Sequence, residues 1–543
     1  MRHATSIITQ TMVQRRYTGG QYDFKTIVED GAVISDKTGL MYDLVKNNTF
    51  VFLSRPRRFG KSLLCSMLKY YFLGKKELFK GFAIEHLEKD WKQYPVLTFS
   101  MSSFKNENAE GVRRALMSKL KAYGETYGCK DDELSPGLLF SGIIRRAAAG
   151  GTKVVLIIDE YDAPMLDTER SDEDETAVRR VMLDFYQQIK ECTGYIQFAF
   201  LTGITKFSNL SIFSAINNLC NISMLGRYST ICGITQSEME TTFKPDVENL
   251  AEYYEVSYDE MLAILKEHYD GYRFAKRQPE EIYNPYSLTN AFKVCEISNF
   301  WFESGTPSYL IPFLKKFKTE VTGLNDMCVN ESDFHVSLDS MTTALPLLFQ
   351  SGYLTIKGYD SISENYTLGF PNSEVRSGFM NCVLKELLGV GVSSQGIAGN
   401  FYASLYRERI DDAMQYLRAY FASIPYPQQG VSSLDDFARF EDYYQTLLYV
   451  VFSIFSSKIH TEVRSARGRA DVVFSMPDTQ YVMEVKLCKT NAESEKAAEE
   501  ALSQIDDKGY AIPYEKPGKR VVKIGVAFSQ ESRTVEEYLI QEA

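Results

Sequence analysis

The stretch FVFLSRPRRFGKSLLCSMLK, residues Phe50–Lys69, decides the fold of the first part of this chain. Its apolar start predicts a strand, its basic middle predicts a loop, and its end has the spacing of an amphipathic helix. A strand, loop and helix of this kind cradle a nucleotide phosphate, because backbone N–H groups point at the anion. Lys61 is expected to reach the β- and γ-phosphates, and the Ser62 hydroxyl to bind Mg²⁺. The loop residues expected to contact the nucleotide are Arg57, Arg58, Phe59 and Gly60.

Arg55 departs from the full phosphate-binding pattern, G-x-x-x-x-G-K-[ST], which has glycine at this position. Because of this departure, an ordinary strand–turn–helix with a Gly-Lys-Ser sequence on the surface stays open as an alternative. The choice between the two interpretations depends on a second motif.

That second motif is Lys153–Glu160, KVVLIIDE, an apolar run that ends in two carboxylates. A continuous apolar run is typical of a parallel strand buried on both faces. Open α/β sheets bind ligands at the carboxyl ends of such strands. Asp159 is expected to hold Mg²⁺ through water, and Glu160 to polarise the attacking water; a buried strand with a solvated acidic turn is the alternative. The two motifs together, in this order, predict a P-loop nucleoside triphosphatase.

Length and composition limit the remaining choices. A chain of 543 residues can form two to four domains with buried cores. The net charge of −11 excludes binding of nucleic acid over the whole surface, so such binding needs a local basic patch. Nine cysteines without a C-x-x-C pair indicate reduced thiols in a cytoplasmic protein. No apolar run predicts a membrane span, and residues 1–21 are expected to form a tail without fixed structure.

Three phrases in order, FKTIVEDGAVISDKTGL, SRPRRFGKSLL and LIIDEYDAP, resemble the AAA-ATPase-like family of bacterial and archaeal proteins. Members of that family have arginine where the first glycine of the phosphate pattern is expected, so the resemblance accounts for Arg55. It implies ATP and Mg²⁺ as cofactors and an ATPase-like domain over residues 22–235.

Two further apolar runs, Val96–Met101 and Ile196–Leu201, predict buried strands of the same sheet. Val96–Met101 lies between the phosphate loop and the DE strand in the chain, and such an intervening strand with a glutamate after the aspartate is the pattern of the additional-strand, catalytic-glutamate branch of P-loop proteins. In that branch a polar residue at a strand tip senses the γ-phosphate, and Thr202 fits this role by chain order; a plain strand-end threonine is an equal alternative. Arg227 has two possible interpretations. Either it contacts a phosphate of a neighbouring subunit in a homo-oligomer, or it is an ordinary solvated arginine.

Residues 236–428 change to a pattern of helices with short apolar runs. The aromatic phrases YDGYRF and IYNPYSL are expected to serve core and interdomain packing. Leu345–Ile356 and Asn365–Phe370 resemble a helix followed by a two-stranded wing, as in a winged-helix module. This segment lacks a dense Lys/Arg face, which favours a structural lever over a DNA-binding element.

The chemistry of residues 429–543 lies in a predicted hairpin whose turn is at Pro477-Asp478. Two residues whose numbers add up to 955 then face each other across the hairpin. Asp471 is therefore expected opposite Glu484, with Cβ atoms roughly 5 Å apart. Lys486 shares their face because it lies two residues beyond Glu484. Two carboxylates beside a lysine predict a Mg²⁺ site that activates water and stabilises charge on a phosphodiester. A surface hairpin with an exposed ion pair is the alternative, which the apolar run before Glu484 disfavours.

This segment also resembles the PD-(D/E)xK nuclease domain that ends members of the same family. That domain has an E-x-x-Y helix, a G-R-x-D strand, an E-x-K strand and a Q-I-x-x-x-x-Y helix. The matching positions are Glu441, Arg469 with Asp471, Glu484 with Lys486, and Gln504. The resemblance implies nuclease chemistry on DNA, with Glu441, Arg469 and Gln504 as accessory residues.

These features predict a multidomain α/β protein with a P-loop parallel sheet, a helical and winged-helix-like middle and a PD-(D/E)xK-type C-terminal domain. The first hypothesis is that ATP binding or hydrolysis controls the access of DNA to the C-terminal site. The second is a nucleotide-dependent switch or scaffold whose C-terminal domain binds nucleic acid or protein without cleaving it. A motor is a third hypothesis, which predicts polynucleotide-stimulated turnover.

Overall fold

The computed structural model describes residues 15–17, 20–104, 107–129, 135–166, 170–206, 219–278, 280–303, 310–321, 323–336, 341–386, 393–422, 450, 459–465, 468–476, 478–515 and 519–542. Contacts divide the chain into two compact units. The first comprises residues 1–319 and 325–374, and the second comprises residues 320–324 and 375–543.

The strands follow in chain order and belong to four separate sheets. They are β1 (Phe50–Ser54), β2 (Val96–Ser100), β3 (Val154–Asp159), β4 (Ile196–Gly203), β5 (Leu219–Asn221), β6 (Ile234–Thr235), β7 (Ile282–Tyr283), β8 (Met327–Val329), β9 (Thr355–Tyr359), β10 (Tyr366–Gly369), β11 (Ile459–Ser465), β12 (Gly468–Ser475), β13 (Thr479–Cys488), β14 (Arg520–Ser529) and β15 (Thr534–Glu542).

The α-helices of the described residues range from single turns to five turns. They are α1 (Phe24–Glu29), α2 (Thr38–Asn47), α3 (Lys61–Phe72), α4 (Ile84–Leu87), α5 (Ala109–Tyr127), α6 (Pro136–Ala147), α7 (Asp172–Glu191), α8 (Gln236–Thr241), α9 (Lys244–Tyr253), α10 (Tyr258–Tyr269), α11 (Pro285–Val294), α12 (Phe300–Glu303), α13 (Leu310–Lys316), α14 (Glu331–Phe334), α15 (Leu345–Gln350), α16 (Ser373–Glu386), α17 (Ser393–Tyr406), α18 (Ile410–Ala422) and α19 (Ser494–Lys508). Of the helices that the structure describes, none joins the length of a bilayer-crossing segment to the required apolar character.

The main sheet of the first unit has the strand order β2-β3-β4-β1-β5, and all neighbouring strands are parallel. β4 lies between β1, which leads into the phosphate loop, and β3, which ends at the two carboxylates. This inserted strand confirms the additional-strand type of P-loop sheet. The expectation of a buried strand at Val96–Met101 is only partly right. β2 is an edge strand in which buried residues alternate with more exposed ones, and Ser100 is exposed.

Packing on one side of this sheet is dominated by phenylalanine. Phe99 of β2 contacts Phe140 of α6 and Phe185 of α7, with each pair of ring centroids 5.3 Å apart. The rings of Phe140 and Phe185 stack on each other at 4.3 Å. Because aromatic pairs bury a large apolar area in a defined geometry, they hold both helices against the sheet. The carboxyl ends of β3 and β4 are thereby held on a rigid support.

The N-terminal segment packs against the helices that follow the sheet. Tyr17 is 8% exposed and shares an apolar cluster with Phe243 and Phe292. Arg15 donates a hydrogen bond to Asp246 Oδ2 at 2.5 Å. The expectation of a tail without fixed structure is therefore wrong for residues 15–17, because a buried ring and an ion pair fix them.

The predicted helix and hairpin of residues 345–370 are present as α15, β9 and β10. β8 adds a third strand, in the order β8-β10-β9, with antiparallel neighbours. The hairpin loop carries Asp360 and Glu364, and no lysine or arginine lies between residues 359 and 366. This negative charge agrees with the lever interpretation, while the assignment as a winged helix stays a prediction.

The second unit contains a five-stranded sheet in the order β11-β12-β13-β14-β15. Val472 pairs with Met483 and Val473 with Val482, so the predicted hairpin register, in which partners sum to 955, is confirmed. β13 and β14 are parallel, and the other neighbours are antiparallel. β15 is absent from the sequence-based expectations, because most of its residues are partly or fully exposed and it has no apolar run. The E-x-x-Y motif that begins at Glu441 lies outside the described residues.

Candidate functional site

The phosphate loop joins β1 to α3 through two left-handed residues. Gly60 precedes the helix with a φ of 90° and leaves the first turn without a side-chain cap. Arg58 has a φ of 66°, a conformation that residues other than glycine adopt rarely. Left-handed residues in a tight loop turn successive backbone N–H groups towards one point, which suits an anion. The loop and the first turn of the 12-residue helix α3 thus form the predicted anion cradle.

Lys61 lies at the bottom of this cradle and is 5% exposed. Its Nζ donates to the carbonyl oxygens of Arg55 at 2.9 Å and Pro56 at 2.8 Å. Burial lowers the pKa of the Lys61 ammonium, and the nearby carboxylates of Asp159 and Glu160 act in the opposite direction. The ammonium group therefore lies between the phosphate loop and the acidic end of β3.

Asp159, Glu160 and Thr202 meet at the carboxyl ends of the adjacent strands β3 and β4. Thr202 is fully buried, and its Oγ1 donates to Asp159 Oδ1 at 2.8 Å. Glu160 is half-buried and has a φ of 53°. Burial, and next the charge of Asp159, raise the pKa of the Glu160 carboxyl. A carboxyl group with a raised pKa beside a lysine is typical of an acid–base site.

A cavity of about 560 Å³ opens beside this cluster. Its lining includes Lys61, Ser62 and Glu160, and also apolar side chains such as Ile27 and Val33. A lining that combines cationic and apolar side chains suits a nucleoside triphosphate, since the phosphates need cations and the base needs apolar contact. The donor set fits a nucleotide with a divalent metal ion, for which Ser62 and Asp159 would supply the oxygen ligands.

The far wall of the cavity contains residues that the sequence analysis does not place there. Phe243 directly precedes α9, and Tyr286 and Thr289 belong to α11. Tyr286 belongs to the phrase IYNPYSL, whose aromatic density is equally typical of a core. Only the contact between distant segments shows that part of this phrase faces the cavity.

The side chains of Arg58 and Phe59 in the phosphate loop contact residues from the segments after the sheet. Arg58 lies over the ring of Tyr286, 3.9 Å from its centroid, and donates to the carbonyl oxygen of Phe300 at 2.9 Å. Phe59 is fully buried against Tyr272, with ring centroids 4.6 Å apart.

Arg55 has a role that the sequence analysis does not assign. It is 1% exposed and lies 4.2 Å from the centroid of the Phe274 ring. Its guanidinium donates to the carbonyl oxygens of Ser54 at 2.9 Å and Ser223 at 2.7 Å. Burial lowers the pKa of Arg55 to about 10. The arginine therefore joins the start of the phosphate loop to the segment after β5.

Restoring glycine at this position with Arg55→Gly is expected to destabilise the protein by about 3 kcal/mol or more, although it restores the general phosphate-binding pattern. Hydrogen bonds from a charged group contribute about 1.5–3 kcal/mol each, and their loss leaves buried carbonyl groups unpaired. Urea unfolding followed by tryptophan fluorescence measures the change. The exposed neighbour supplies the control, Arg57→Gly, and equal losses in the two variants would contradict this role of Arg55.

The predicted nuclease site is described in part. Glu484 on β13 is 2% exposed, and its Oε1 accepts a hydrogen bond from Gln504 Nε2 of α19. Lys486 lies two residues further on the same face of β13 and is partly exposed. The burial of Glu484 disagrees with the alternative of an exposed surface ion pair.

The roles of the remaining predicted nuclease residues stay predictions. The backbone of Asp471 and Arg469 lies in β12, the strand that pairs with β13. Glu441 falls outside the described residues. Within the described residues, no three His, Cys, Asp or Glu side chains converge at metal-binding distance. Glu484 is therefore the one carboxylate of the predicted metal site whose side chain the structure places.

Comparisons with known proteins agree with both halves of this description. A family model described as "Predicted AAA-ATPase" matches residues 19–213, and one described as "PD-(D/E)XK nuclease superfamily" matches residues 439–538. A protein of Azotobacter chroococcum mcd 1, described as "Uncharacterized protein in vnfD 5'region", is 33% identical over 513 residues. That match covers 93% of this chain and 95% of the relative.

Among solved structures, the Aeropyrum pernix ORC2 protein, determined in ADPNP–ADP complexes, is similar to this chain with a TM-score of 0.27 and 10% sequence identity. The similarity covers 65% of this chain and 93% of that protein. The family assignment rests on the sequence matches alone. This chain belongs to the AAA-ATPase-like family and carries a PD-(D/E)XK nuclease superfamily domain in its C-terminal part.

Proposed function

We propose that this protein binds and hydrolyses ATP in the cavity beside Lys61, and that its nucleotide state controls a Mg²⁺-dependent nuclease-like domain that acts on DNA. The ATPase-like domain is taken as residues 22–235, the helical and winged-helix-like region as 236–428 and the nuclease-like domain as 429–543. ATP and Mg²⁺ are the cofactors in this proposal.

One observation carries the first half of the proposal. Lys61 and Ser62 from the start of α3 and Glu160 from the end of β3 line one cavity of about 560 Å³, and Thr202 donates a hydrogen bond to Asp159, the neighbour of Glu160. In this arrangement Lys61 and the loop N–H groups bind the phosphates, and Ser62 and Asp159 orient Mg²⁺. The bound metal ion supplies charge neutralisation at the phosphates. Glu160 accepts a proton from the attacking water, and Thr202 holds the carboxylate of Asp159 in place.

The second half rests on Glu484 and Lys486. A buried carboxylate that accepts a hydrogen bond from Gln504 is held in one orientation, as a metal ligand requires. Lys486 adds a cation on the same face, which suits the charge that develops on a phosphodiester. Asp471 is the second carboxylate of this proposal; it directly precedes Val472, whose partner Met483 directly precedes Glu484.

A nucleotide-dependent switch that binds without cutting is the second candidate. It is favoured by Lys486, a partly exposed cation on β13 that can pair with a phosphate or a carboxylate without a metal ion. In this candidate the C-terminal domain binds nucleic acid or a protein, and ATP changes that affinity.

A nuclease assay separates the two candidates. Plasmid, linear and single-stranded DNA, and RNA, are incubated with Mg²⁺, with and without ATP. Wild type is compared with Glu484→Ala and Lys61→Ala, and with Glu499→Ala, which removes an exposed carboxylate from α19 of the same domain.

We expect Glu484→Ala to lower cleavage by at least about 100-fold, because it removes a carboxylate that holds the metal ion. Glu499→Ala is expected to cleave as wild type does. Lys61→Ala is expected to remove the effect of ATP on cleavage. The absence of cleavage of every substrate, with ATP still hydrolysed, would favour the switch and reject the nuclease.

A further inference from the structure

The turn that follows Glu160 is bonded to the end of the neighbouring strand β4. Asp162 is 2% exposed, and its Oδ2 accepts three hydrogen bonds from two consecutive residues. The donors are the backbone N–H of Ile204 at 3.0 Å, the backbone N–H of Thr205 at 2.7 Å and Thr205 Oγ1 at 2.7 Å. A single buried carboxylate oxygen therefore fixes the strand end just beyond Thr202.

Tyr161 makes a second link between the same two segments. Its backbone N–H donates to the carbonyl oxygen of Thr202 at 2.8 Å, and its hydroxyl donates to the carbonyl oxygen of Thr205 at 3.4 Å. Gly203 lies against the Tyr161 ring so closely that a Cβ atom there would come within 2.6 Å of it. Such a contact leaves no room for the strand end to move towards the turn.

Glu160 and Thr202 both border this linked region. Glu160 has a left-handed backbone, and such a conformation in a residue other than glycine persists only when its surroundings fix it. Thr202 reaches Asp159 Oδ1 only while the end of β4 keeps its position. The hydrogen bonds of Asp162 thus lie where a small displacement would move both groups of the proposed ATPase site.

We propose that Asp162 is a positioning residue that holds Glu160 and Thr202 in register for the γ-phosphate through its bonds to Ile204 and Thr205. This inference rests on the proposed ATPase function and adds a residue that touches neither nucleotide nor metal ion. Asp162 acts on turnover and on the distinction between ATP and ADP, because both depend on contacts to the γ-phosphate.

The test compares Asp162→Ala, Asp162→Asn and Thr205→Val in the full-length protein. Asparagine keeps one acceptor oxygen, whereas alanine removes all three bonds, and valine removes only the bond from the hydroxyl. Asp184→Ala is the control. Asp184 on α7 also accepts a hydrogen bond from a backbone N–H, that of Gly137 on α6, with its Oδ2 at 2.9 Å. The kcat for ATP hydrolysis, the Kd values for ATP and ADP, and the Tm are measured for each variant.

Asp162→Ala is expected to lower kcat by about 100-fold, since misplacement of a reacting group by 1 Å has an effect of this size. It is also expected to reduce the preference for ATP over ADP while ADP affinity stays as in wild type. Asp162→Asn recovers most of this loss and Thr205→Val loses part of it. Asp184→Ala lowers Tm without changing kcat.

An unchanged ATP-to-ADP affinity ratio in Asp162→Ala would overturn the positioning role, and so would a parallel loss of affinity for both nucleotides. The affinity ratio is a binding measurement, so it decides the role of Asp162 even where wild type shows no turnover. Absent turnover in wild type would instead reject the hydrolysis step of the proposed function.

Discussion

Lys61→Ala is expected to weaken ATP binding by at least about 100-fold, equivalent to about 2.7 kcal/mol. The physical reason is that Lys61 is the buried cation at the bottom of the phosphate cradle, so its removal leaves the phosphates without a paired charge. Truncating one partner of a buried, hydrogen-bonded charge pair has an effect of this order. Binding is measured by isothermal titration with ATP and with a non-hydrolysable analogue.

Lys69→Ala is the matched control for this variant. Lys69 lies on the same helix, α3, two turns further on, and its Nζ is 5.0 Å from the Tyr70 ring centroid. We expect Lys69→Ala to bind ATP as wild type does. Full ATP affinity in Lys61→Ala would contradict the assignment of this cavity to a nucleotide.

Glu160→Gln is expected to lower the rate of ATP hydrolysis by about 100- to 1,000-fold while ATP still binds. The glutamine keeps the shape of the side chain but accepts no proton from the attacking water, and general-base catalysis contributes about this much. Single-turnover hydrolysis and ATP binding are measured side by side. Glu125→Gln, an exposed position on α5, is the control.

The pH dependence of wild type gives an independent check on Glu160. Its carboxyl has a raised pKa, and a general base works only when it has lost its proton, so turnover is expected to rise with pH through that raised pKa. This acidic limb of the kcat profile disappears in Glu160→Gln. Retention of the same limb in the variant would assign the base to another group.

Part of the site follows from sequence because it is built from local contacts. The loop before Lys61 and the first turn of α3 are contiguous, so one short motif specifies their backbone N–H groups and their cation together. The hairpin register around Asp471 and Glu484 is also local, since a turn and a period of two residues determine which positions face each other. Both sets of expectations needed no knowledge of how distant segments pack.

Other features depend on contacts between residues far apart in the chain. The burial of Arg55 against Phe274 joins positions more than two hundred residues apart, and no periodicity in the sequence marks such a contact. The position of Phe243 and Tyr286 beside the cavity also depends on such contacts. In the sequence, an aromatic residue that lines a cavity cannot be distinguished from one in a core. The role of Asp162 likewise depends on its meeting Thr205 across two strands.

The sequence by itself determined which groups this protein carries for phosphate chemistry and the order of the elements that present them. Only the tertiary structure decided the insertion of β4 between β1 and β3, the contribution of Phe243 and Tyr286 to the cavity and the hydrogen bonds that hold the turn after Glu160. The physical reason is that backbone conformation and side-chain periodicity are local properties of the chain. Burial and the pairing of distant polar groups are set by the packing of the whole unit.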